Sequence, residues 1–196
     1  YPAIAVITAM DADHLDIYGT HEHLLMAFEE FALQTQGELF LRKGLELRKR
    51  QVTGHYAVGE KTDYYADCLR VDNGSYLFDY IGKDIEIKDL RLCFPGRVNV
   101  ENATAAITVA LHAGVTQEEI RKALPLFTGV ARRFDMHVKS DRLIYIDDYA
   151  HHPREIEASL SSIRDMWPNK KLTVAFQPHL YSRTNDFYPD FAKSLN

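Results

Sequence analysis

The chain has 196 residues, of which 46% are hydrophobic and 26% charged, a composition typical of a globular protein with one large or two small domains. Its formal net charge of -5 argues against a nucleic-acid partner, because a phosphate backbone attracts basic surfaces. The sequence contains no apolar run of membrane-spanning length, and it does not open with the basic segment and apolar core of a signal peptide. We therefore expect neither membrane insertion nor secretion. Cys68 and Cys93 lack metal-ligand spacing, and we expect them to stay reduced in the cytoplasm.

The first predicted element is a buried strand at residues 3–7, followed by an acidic segment at residues 11–16 that contains three aspartates and His14. Such a group at the end of a strand could bind a hard cation, or it could be a solvated turn in which His14 packs locally. Spacing alone does not decide between the two. Thr20 is then predicted to cap a helix whose apolar face carries Leu24, Phe28 and Phe31.

Both ends of the chain lie at or within predicted elements. Tyr1 stands directly before the first strand, and residues 187–196 have a helical pattern up to the last residue. Natural domains seldom begin or end within an element, so we expect this chain to be part of a longer protein.

Residues 64–94 are predicted to form antiparallel strands with a scaffold role. The dipeptide Asn73-Gly74 indicates a hairpin turn, because both residues tolerate positive φ. Residues 85–88 alternate apolar and charged side chains, which is typical of a half-solvated strand.

Two helices are predicted after these strands. Asn99 is predicted to cap the first one, which ends at Gly114, and Asn102 lies in its first turn. Asparagine is mildly unfavourable inside a helix, so a capping role and a ligand role both fit Asn102, and the pattern alone favours capping. Thr116 and Glu119 form the capping box of the second helix.

Paired arginines, Arg132 and Arg133, follow this helix after Gly129. They could be an anion clamp in a linker or a solvated basic turn, and the local pattern by itself favours the turn.

The densest polar segment of the chain follows residues 143–146, four consecutive apolar residues that predict a strand covered on both faces. Two carboxylates, a phenol and two imidazoles occupy residues 147–152, and Pro153 then suits the first turn of a helix. Titratable groups at this density indicate a site more strongly than an incidental acidic loop.

A further strand is predicted at residues 171–176, which completes a βαβ unit with a right-handed crossover. A second polar segment, residues 177–184, follows it and includes His179 and Arg183. Because the carboxyl ends of parallel strands meet at the same sheet edge, the two polar segments are predicted to converge.

Five segments, in this order and spacing, resemble the Mur ligase family: residues 11–16, 95–103, 132–135, 147–153 and 177–184. The resemblance implies an α/β fold, in which residues 1–130 are the later part of a central ATPase domain and residues 131–196 are the first part of a Rossmann-like C-terminal domain. It also implies that the glycine-rich phosphate loop and a metal-binding glutamate lie upstream of Tyr1. We therefore expect this chain alone to have no ligase activity.

The resemblance further implies a reaction, the ATP-dependent ligation of L-alanine to UDP-N-acetylmuramate through an acyl phosphate. A carboxylate is a poor electrophile until a good leaving group is attached, and Mg²⁺ spreads the charge of the transferred phosphoryl group. The product is a precursor of peptidoglycan, so the implied roles are cell wall biogenesis, cell shape and cell division.

Site residues are also implied by the resemblance, position by position. His14 matches the magnesium ligand, Asn99 and Asn102 match the adenine-binding segment, Arg133 matches the cation that contacts the ATP phosphates, and Asp148 matches the acceptor for ribose hydroxyls.

The pocket for the incoming amino acid is matched by four residues, Tyr149, His151, His179 and Arg183. Of the site residues, His151 and Arg133 are the expected catalytic ones. Leu180 departs from the family pattern, in which arginine is common, so the pocket is expected to differ by one cation.

Three other functions are compatible with parts of the sequence. A related ligase attaches a whole peptide to the same sugar nucleotide during wall recycling. A metal-dependent hydrolase would account for the nine histidines and clustered aspartates, although no histidine pair has the i, i+4 spacing with an intervening glutamate. A non-catalytic binding module could descend from a ligase, but the retention of His14, Arg133 and Asp148 argues against it.

Overall fold

The computed structural model describes residues 1–12, 15–72, 74–94, 96–179 and 181–195, and omits the side chains of residues 15, 16, 182, 183 and 186. The chain forms two compact units, each built from segments that are not contiguous in sequence. Unit 1 consists of Tyr1–Leu69, Phe78–Leu90 and Val100–Lys122, and unit 2 consists of Arg70–Leu77, Arg91–Asn99 and Ala123–Asn196.

A six-stranded sheet runs in the order of the sequence, and its first three pairings are parallel. Residues 39–41 of the second strand are all fully buried, as in a strand covered on both faces. The strands are β1 (Ile4–Ile7), β2 (Glu38–Arg42), β3 (Gly54–Val58), β4 (Tyr64–Asp72), β5 (Ser75–Ile81) and β6 (Glu86–Leu92).

Between β1 and β2 lie α1 (Leu15–Tyr18) and α2 (His21–Gln34). The predicted cap of α2 is confirmed, since the Thr20 side chain accepts a hydrogen bond from the His23 N–H at 3.2 Å. Phe31 was predicted to be inward but is 39% exposed, and Ala32 is buried in its place. The reason is helical period: positions 24, 28 and 32 form one stripe, and position 31 lies at its edge.

Strands β4 and β5 are neighbours in the sheet and are separated by two residues, which is the arrangement of a hairpin. Gly74 has the positive φ of +73° that such a turn requires, and the predicted turn residue Asn73 lies outside the described residues.

Helix α3 (Arg97–His112) begins three residues earlier than predicted. Asn99 therefore lies inside the first turn, where its N–H donates to the Gly96 carbonyl at 2.9 Å, and its prediction as the helix cap is wrong. Gly96, with a φ of +101°, reverses the chain directly before the helix, so no later cap is needed. The predicted stop is confirmed, because Gly114 has positive φ and donates to the Leu111 carbonyl at 3.0 Å.

The capping box of α4 (Gln117–Ala123) is confirmed. The Glu119 N–H donates to the Thr116 hydroxyl at 3.3 Å, and the Thr116 N–H donates to the Glu119 carboxylate at 2.9 Å. A single 3₁₀ turn, Leu124–Leu126, follows.

The C-terminal part of unit 2 contains a two-stranded antiparallel sheet of β7 (Asp135–Lys139) and β8 (Ile144–Asp147). Three helices follow, α5 (Pro153–Met166), α6 (Tyr181–Asp186) and α7 (Tyr188–Ser194). The prediction that β8 is covered on both faces is wrong, because Leu143 and Tyr145 are 58% and 55% exposed. Alternate residues of a strand face opposite sides, and Ile144 and Ile146 on one side are both half-buried, whereas Tyr145 on the other side is exposed.

The predicted strand at residues 171–176, and with it the βαβ unit, is wrong in the described structure. These residues join no ladder, and β8 pairs with β7 instead. A strand requires a hydrogen-bonded neighbour, which an apolar pattern cannot guarantee. Leu172 and Phe176 instead pack against the cluster formed by Ile156, Leu160 and Phe191.

Candidate functional site

The turn between β8 and α5 in unit 2 carries the polar segment that the sequence singled out. A capping box organises this turn. The Glu155 carboxylate accepts from the N–H groups of His151 and His152 at 3.0 and 3.2 Å, and the His152 ring accepts from the Arg154 N–H at 3.4 Å. Pro153 occupies the first helical position, as predicted. The box fixes the backbone on which the candidate side chains stand.

The Asp148 carboxylate is held in a defined orientation. One oxygen accepts from the Ala150 N–H at 3.1 Å, and the other accepts from the Ser159 hydroxyl at 2.5 Å. Each carboxylate oxygen has two acceptor positions, so with the partners that the described residues supply, one position on each remains unused. Sequence reasoning identified Asp148 but missed Ser159, whose only signal is its place on the helix that follows.

Three aromatic rings of the predicted amino-acid pocket come together. The ring centroid of Tyr149 lies 5.4 Å from that of His151 and 6.5 Å from that of His179. The two polar segments therefore meet at His179, although no strand leads to it. Arg183 belongs to α6, and its side chain is one of those that the structure does not describe.

The tautomer of His151 follows from its hydrogen bond. The ring Nδ1 lies 2.9 Å from the Tyr149 carbonyl oxygen, and a carbonyl only accepts. Nδ1 therefore carries a proton, and in the neutral ring Nε2 has a lone pair. Nε2 has no hydrogen-bond partner among the residues that the structure describes, so this nitrogen is left for a ligand.

The two tandem arginines have different surroundings. Arg133, the predicted phosphate contact, has an exposed side chain, and its N–H donates to the Val130 carbonyl at 3.1 Å. The Arg132 guanidinium instead lies over the Tyr149 ring, 4.7 Å from its centroid. The sequence analysis considered Arg132 only together with Arg133, as an anion clamp or a basic turn, because adjacent residues of one type cannot be told apart by composition.

The predicted adenine-binding residues both lie on α3. Asn99 is half-buried, and Asn102 is exposed. Glu101, next to Asn102, pairs with Arg42 at 3.1 Å, which ties this part of the helix to the end of β2.

The predicted magnesium ligand His14 lies outside the described residues. Among the described residues, no three His, Cys, Asp or Glu side chains form a group that could hold a metal. One imidazole would hold Mg²⁺ poorly, since that ion prefers oxygen ligands.

A second group of titratable side chains lies in unit 1 and contains Glu38, Tyr64 and His112. The His112 Nδ1 lies 2.7 Å from the Glu38 carboxylate, and Nε2 lies 3.0 Å from the Tyr64 hydroxyl. Burial, followed by the charges of Asp63 and Glu38, raises the pKa of the Tyr64 phenol. Both imidazole nitrogens are occupied, which is the arrangement of a structural network.

No helix in the described part of the chain has the length and apolar character needed to cross a bilayer.

Family profiles match most of the chain. The profile described as the Mur ligase middle domain matches residues 1–110, and the profile described as the Mur ligase glutamate ligase domain matches residues 132–196. The α/β class expected from the sequence is thereby confirmed.

Curated relatives match over the whole chain. A UDP-N-acetylmuramate–L-alanine ligase of Phocaeicola vulgatus is 45% identical, with 100% of this chain and 44% of the relative covered. The ligase of the same name from Parabacteroides distasonis is 44% identical, with 100% and 44% covered. The chain therefore spans less than half the length of these relatives.

Solved structures agree with this assignment. A UDP-N-acetylmuramate–alanine ligase from Thermotoga maritima superposes with a TM-score of 0.80 at 28% identity, with 97% of this chain and 43% of that chain covered. A MurF ligase from the same organism, in complex with ADP, has a TM-score of 0.78 at 19% identity, with 100% and 47% covered, a likeness of fold alone.

Proposed function

The chain belongs to the Mur ligase family, and from this premise we propose that the complete protein ligates L-alanine to UDP-N-acetylmuramate in an ATP-dependent reaction. The whole-chain similarity to ligases of that name supports this choice within the family. The proposed setting is peptidoglycan precursor synthesis in the cytoplasm, with the domain boundary at residue 130.

The proposed reaction has two steps. The carboxylate of UDP-N-acetylmuramate takes the γ-phosphoryl group of ATP, which forms an acyl phosphate and releases ADP. The amine of L-alanine then attacks the acyl carbon, and inorganic phosphate leaves as the amide forms. Mg²⁺ would supply charge stabilisation in the first step.

The observation that carries the proposal is the lone pair on Nε2 of His151, next to the rings of Tyr149 and His179. At neutral pH the amine of free L-alanine is protonated and is not a nucleophile. We assign His151 the role of general base that removes this proton. Tyr149, His179 and Arg183 are assigned to binding the amino acid, and a planar guanidinium suits its carboxylate.

The remaining assignments concern the nucleotide. Asp148 has acceptor positions left for the ribose hydroxyls, and Arg133 presents an exposed cation for the phosphates. Asn99 and Asn102 are assigned to adenine, and His14 is assigned to Mg²⁺.

The test is phosphate release by the full-length protein with ATP, Mg²⁺ and UDP-N-acetylmuramate. We expect release to depend on L-alanine and not on a peptide that begins with L-alanine. Phosphate release that requires the peptide and does not occur with L-alanine would assign the protein to wall recycling. Phosphate release from ATP without any amine would refute a ligase.

The pocket assignment has its own test. Arg183→Lys and His179→Ala are expected to raise KM for L-alanine and to leave KM for ATP unchanged, because an ammonium cannot reproduce the planar guanidinium. A shift of KM for ATP alone would show that the pocket is misplaced.

A further inference from the structure

Arg132, which has no role in the proposed function, makes two contacts with Tyr149. Its guanidinium carbon lies 4.7 Å from the centroid of the Tyr149 ring, and its carbonyl accepts from the Tyr149 N–H at 2.7 Å. Arg132 therefore holds both the ring and the backbone of Tyr149, a residue that is assigned to binding the amino acid.

The backbone of Arg132 is itself held in an uncommon conformation. Its φ of +61° lies in the left-handed region, which residues other than glycine seldom adopt. Its N–H donates to the Asp135 carboxylate at 3.1 Å. Gly129, three residues earlier, has no room for a Cβ atom beside the Phe94 ring, so the path of the chain into Arg132 is restricted.

The side chain of Arg132 also approaches the start of the turn. Its Nε lies 4.0 Å from the Asp147 carboxylate, a pair that is half-exposed and therefore weak. The contact with the ring is the more informative one, because a cation over an aromatic face restricts how the ring can rotate. Arg133, its neighbour, has none of these side-chain contacts in the described part of the chain.

We propose that Arg132 is a positioning residue that holds the Tyr149 ring in the orientation that binds the amino acid. This inference rests on the proposed function, because it takes Tyr149 as part of the amino-acid pocket. The tandem arginines would then have separate roles, since Arg132 acts on the amino acid through Tyr149 and Arg133 acts on the nucleotide.

The consequence is measurable in the full-length protein as a KM effect. Arg132→Met keeps an apolar stem and removes the cation. Because an exposed cation–π contact corresponds to about a two- to five-fold change in an equilibrium constant, we expect KM for L-alanine to rise by that factor. KM for ATP is expected to stay unchanged, and Arg132→Lys should have the smaller effect. Arg142, exposed at the β7–β8 connection, is the matched control, and Arg142→Met should change neither constant.

A second variant separates the side chain from the backbone. Glycine adopts positive φ without strain, so Arg132→Gly removes the side chain while the local backbone conformation is tolerated. We expect Arg132→Gly and Arg132→Met to raise KM for L-alanine alike. An effect of Arg132→Met that Arg132→Gly lacks would overturn the inference, since both variants lose the cation and its loss could not then be the cause.

A double-mutant cycle decides whether Arg132 acts through Tyr149. In a Tyr149→Ala background, Arg132→Met is expected to add nothing to the change in KM for L-alanine. Additive effects, or a shift in KM for ATP, would overturn the inference while the proposed function stands. Wild-type protein that lacks turnover dependent on L-alanine would instead overturn the proposed function, and this inference with it.

Discussion

Among the described side chains that bring an imidazole next to a phenol, one group in each unit stands out, and the two differ in how much of their hydrogen-bonding capacity the fold uses. The core triad of Glu38, Tyr64 and His112 takes its name from the buried Tyr64, while Glu38 is half-buried and His112 is exposed, and it occupies both imidazole nitrogens and the phenol oxygen. The turn group of Tyr149, His151 and His179 uses Nδ1 of His151, and the Tyr149 ring is 44% exposed. Residue types alone therefore do not identify a site, and the hydrogen-bonding capacity left for a ligand is the better criterion.

The packing of the two groups also differs. The His112 ring lies 4.7 Å from Phe40 and 5.4 Å from Tyr64, two residues of the buried core. The turn group stands on a capped turn whose backbone is fixed, and within it Tyr149 and His179 are exposed and His151 is half-buried. We therefore expect changes in the core triad to affect folding, and changes in the turn group to affect chemistry.

The largest expected effect separates the two groups directly. His151→Gln removes the proposed general base, and such groups contribute about 10² to 10⁴ in rate, so kcat with L-alanine should fall by that factor. The thermal unfolding midpoint of the full-length protein should stay close to that of the wild type.

His112→Gln is the matched control for this experiment. It disturbs two hydrogen bonds, each worth about 0.5–1.5 kcal/mol, so it should lower the free energy of unfolding by about 1–3 kcal/mol without changing kcat. The distinction between core triad and turn group would be wrong if His151→Gln lowered the stability and spared kcat while His112→Gln lowered kcat and spared the stability.

The second prediction concerns the nucleotide. Asp148→Ala removes a carboxylate assigned to two ribose hydroxyls, and since bonds to charged groups are worth about 1.5–3 kcal/mol each, Kd for ATP should rise by about a hundredfold or more. Calorimetric titration of the full-length protein with ATP measures this Kd, and Asn102→Ala, a variant of a residue assigned to adenine, is measured in the same way. Ser159→Ala is the control, since it removes one internal partner of the carboxylate and leaves the carboxylate itself. Unchanged affinity in both Asp148→Ala and Asn102→Ala would refute the assignment.

The third prediction concerns the core of unit 1 in alkali. Burial is the main reason that the pKa of Tyr80 is raised to about 12, and its hydroxyl lies 3.0 Å from that of Thr108. Because the folded pKa lies above the unfolded value, the stabilisation is complete below about pH 10 and is lost as pH rises through about 12. Two pKa units correspond to about 2.7 kcal/mol, an order-of-magnitude value.

Urea unfolding at increasing pH measures this loss, with tyrosinate absorbance as a second signal. Tyr80→Phe is expected to reduce the alkaline decline, although Tyr56, whose pKa burial also raises to about 12, should preserve part of it. Thr108→Val removes the same hydrogen bond and leaves the phenol, so it should keep the decline. An identical pH dependence in Tyr80→Phe and the wild type would contradict the prediction.

Local signals made much of this fold predictable. The Thr20 cap, the capping box at Thr116 and the stop at Gly114 each depend on neighbours within a few residues of the chain. The polar segment at residues 147–152 was visible for the same reason, since its members are adjacent in sequence.

Tertiary neighbours decided what the sequence could not show. Residues 171–176 have a strand-like pattern and form no ladder, because a strand exists only with a partner. The core triad joins positions 38, 64 and 112, and no pattern links residues that far apart. Arg132 and Arg133 are identical in type, and only the structure shows which one lies over Tyr149.

The smallest expected effect uses the two capping boxes, one in each unit. Glu119 serves only α4, whereas Glu155 also accepts from the N–H of His151. Glu155→Ala should therefore lower the unfolding free energy by about 0.5–1.5 kcal/mol and also lower kcat, because the His151 backbone loses a constraint. Glu155→Gln keeps an oxygen acceptor and should recover most of both losses.

Glu119→Ala is the control in the other unit, and it should lower the unfolding midpoint without changing kcat. The N–H of Thr116 holds the pKa of Glu119 below its usual value, so the contribution of this box is present at neutral pH and lost as pH falls through that lowered pKa. The comparison is therefore made at neutral pH, where both boxes are intact. If Glu155→Ala and Glu119→Ala left kcat equally unchanged, the turn would tolerate the loss of its cap, and the orientation of His151 would have to come from its bond to the Tyr149 carbonyl instead.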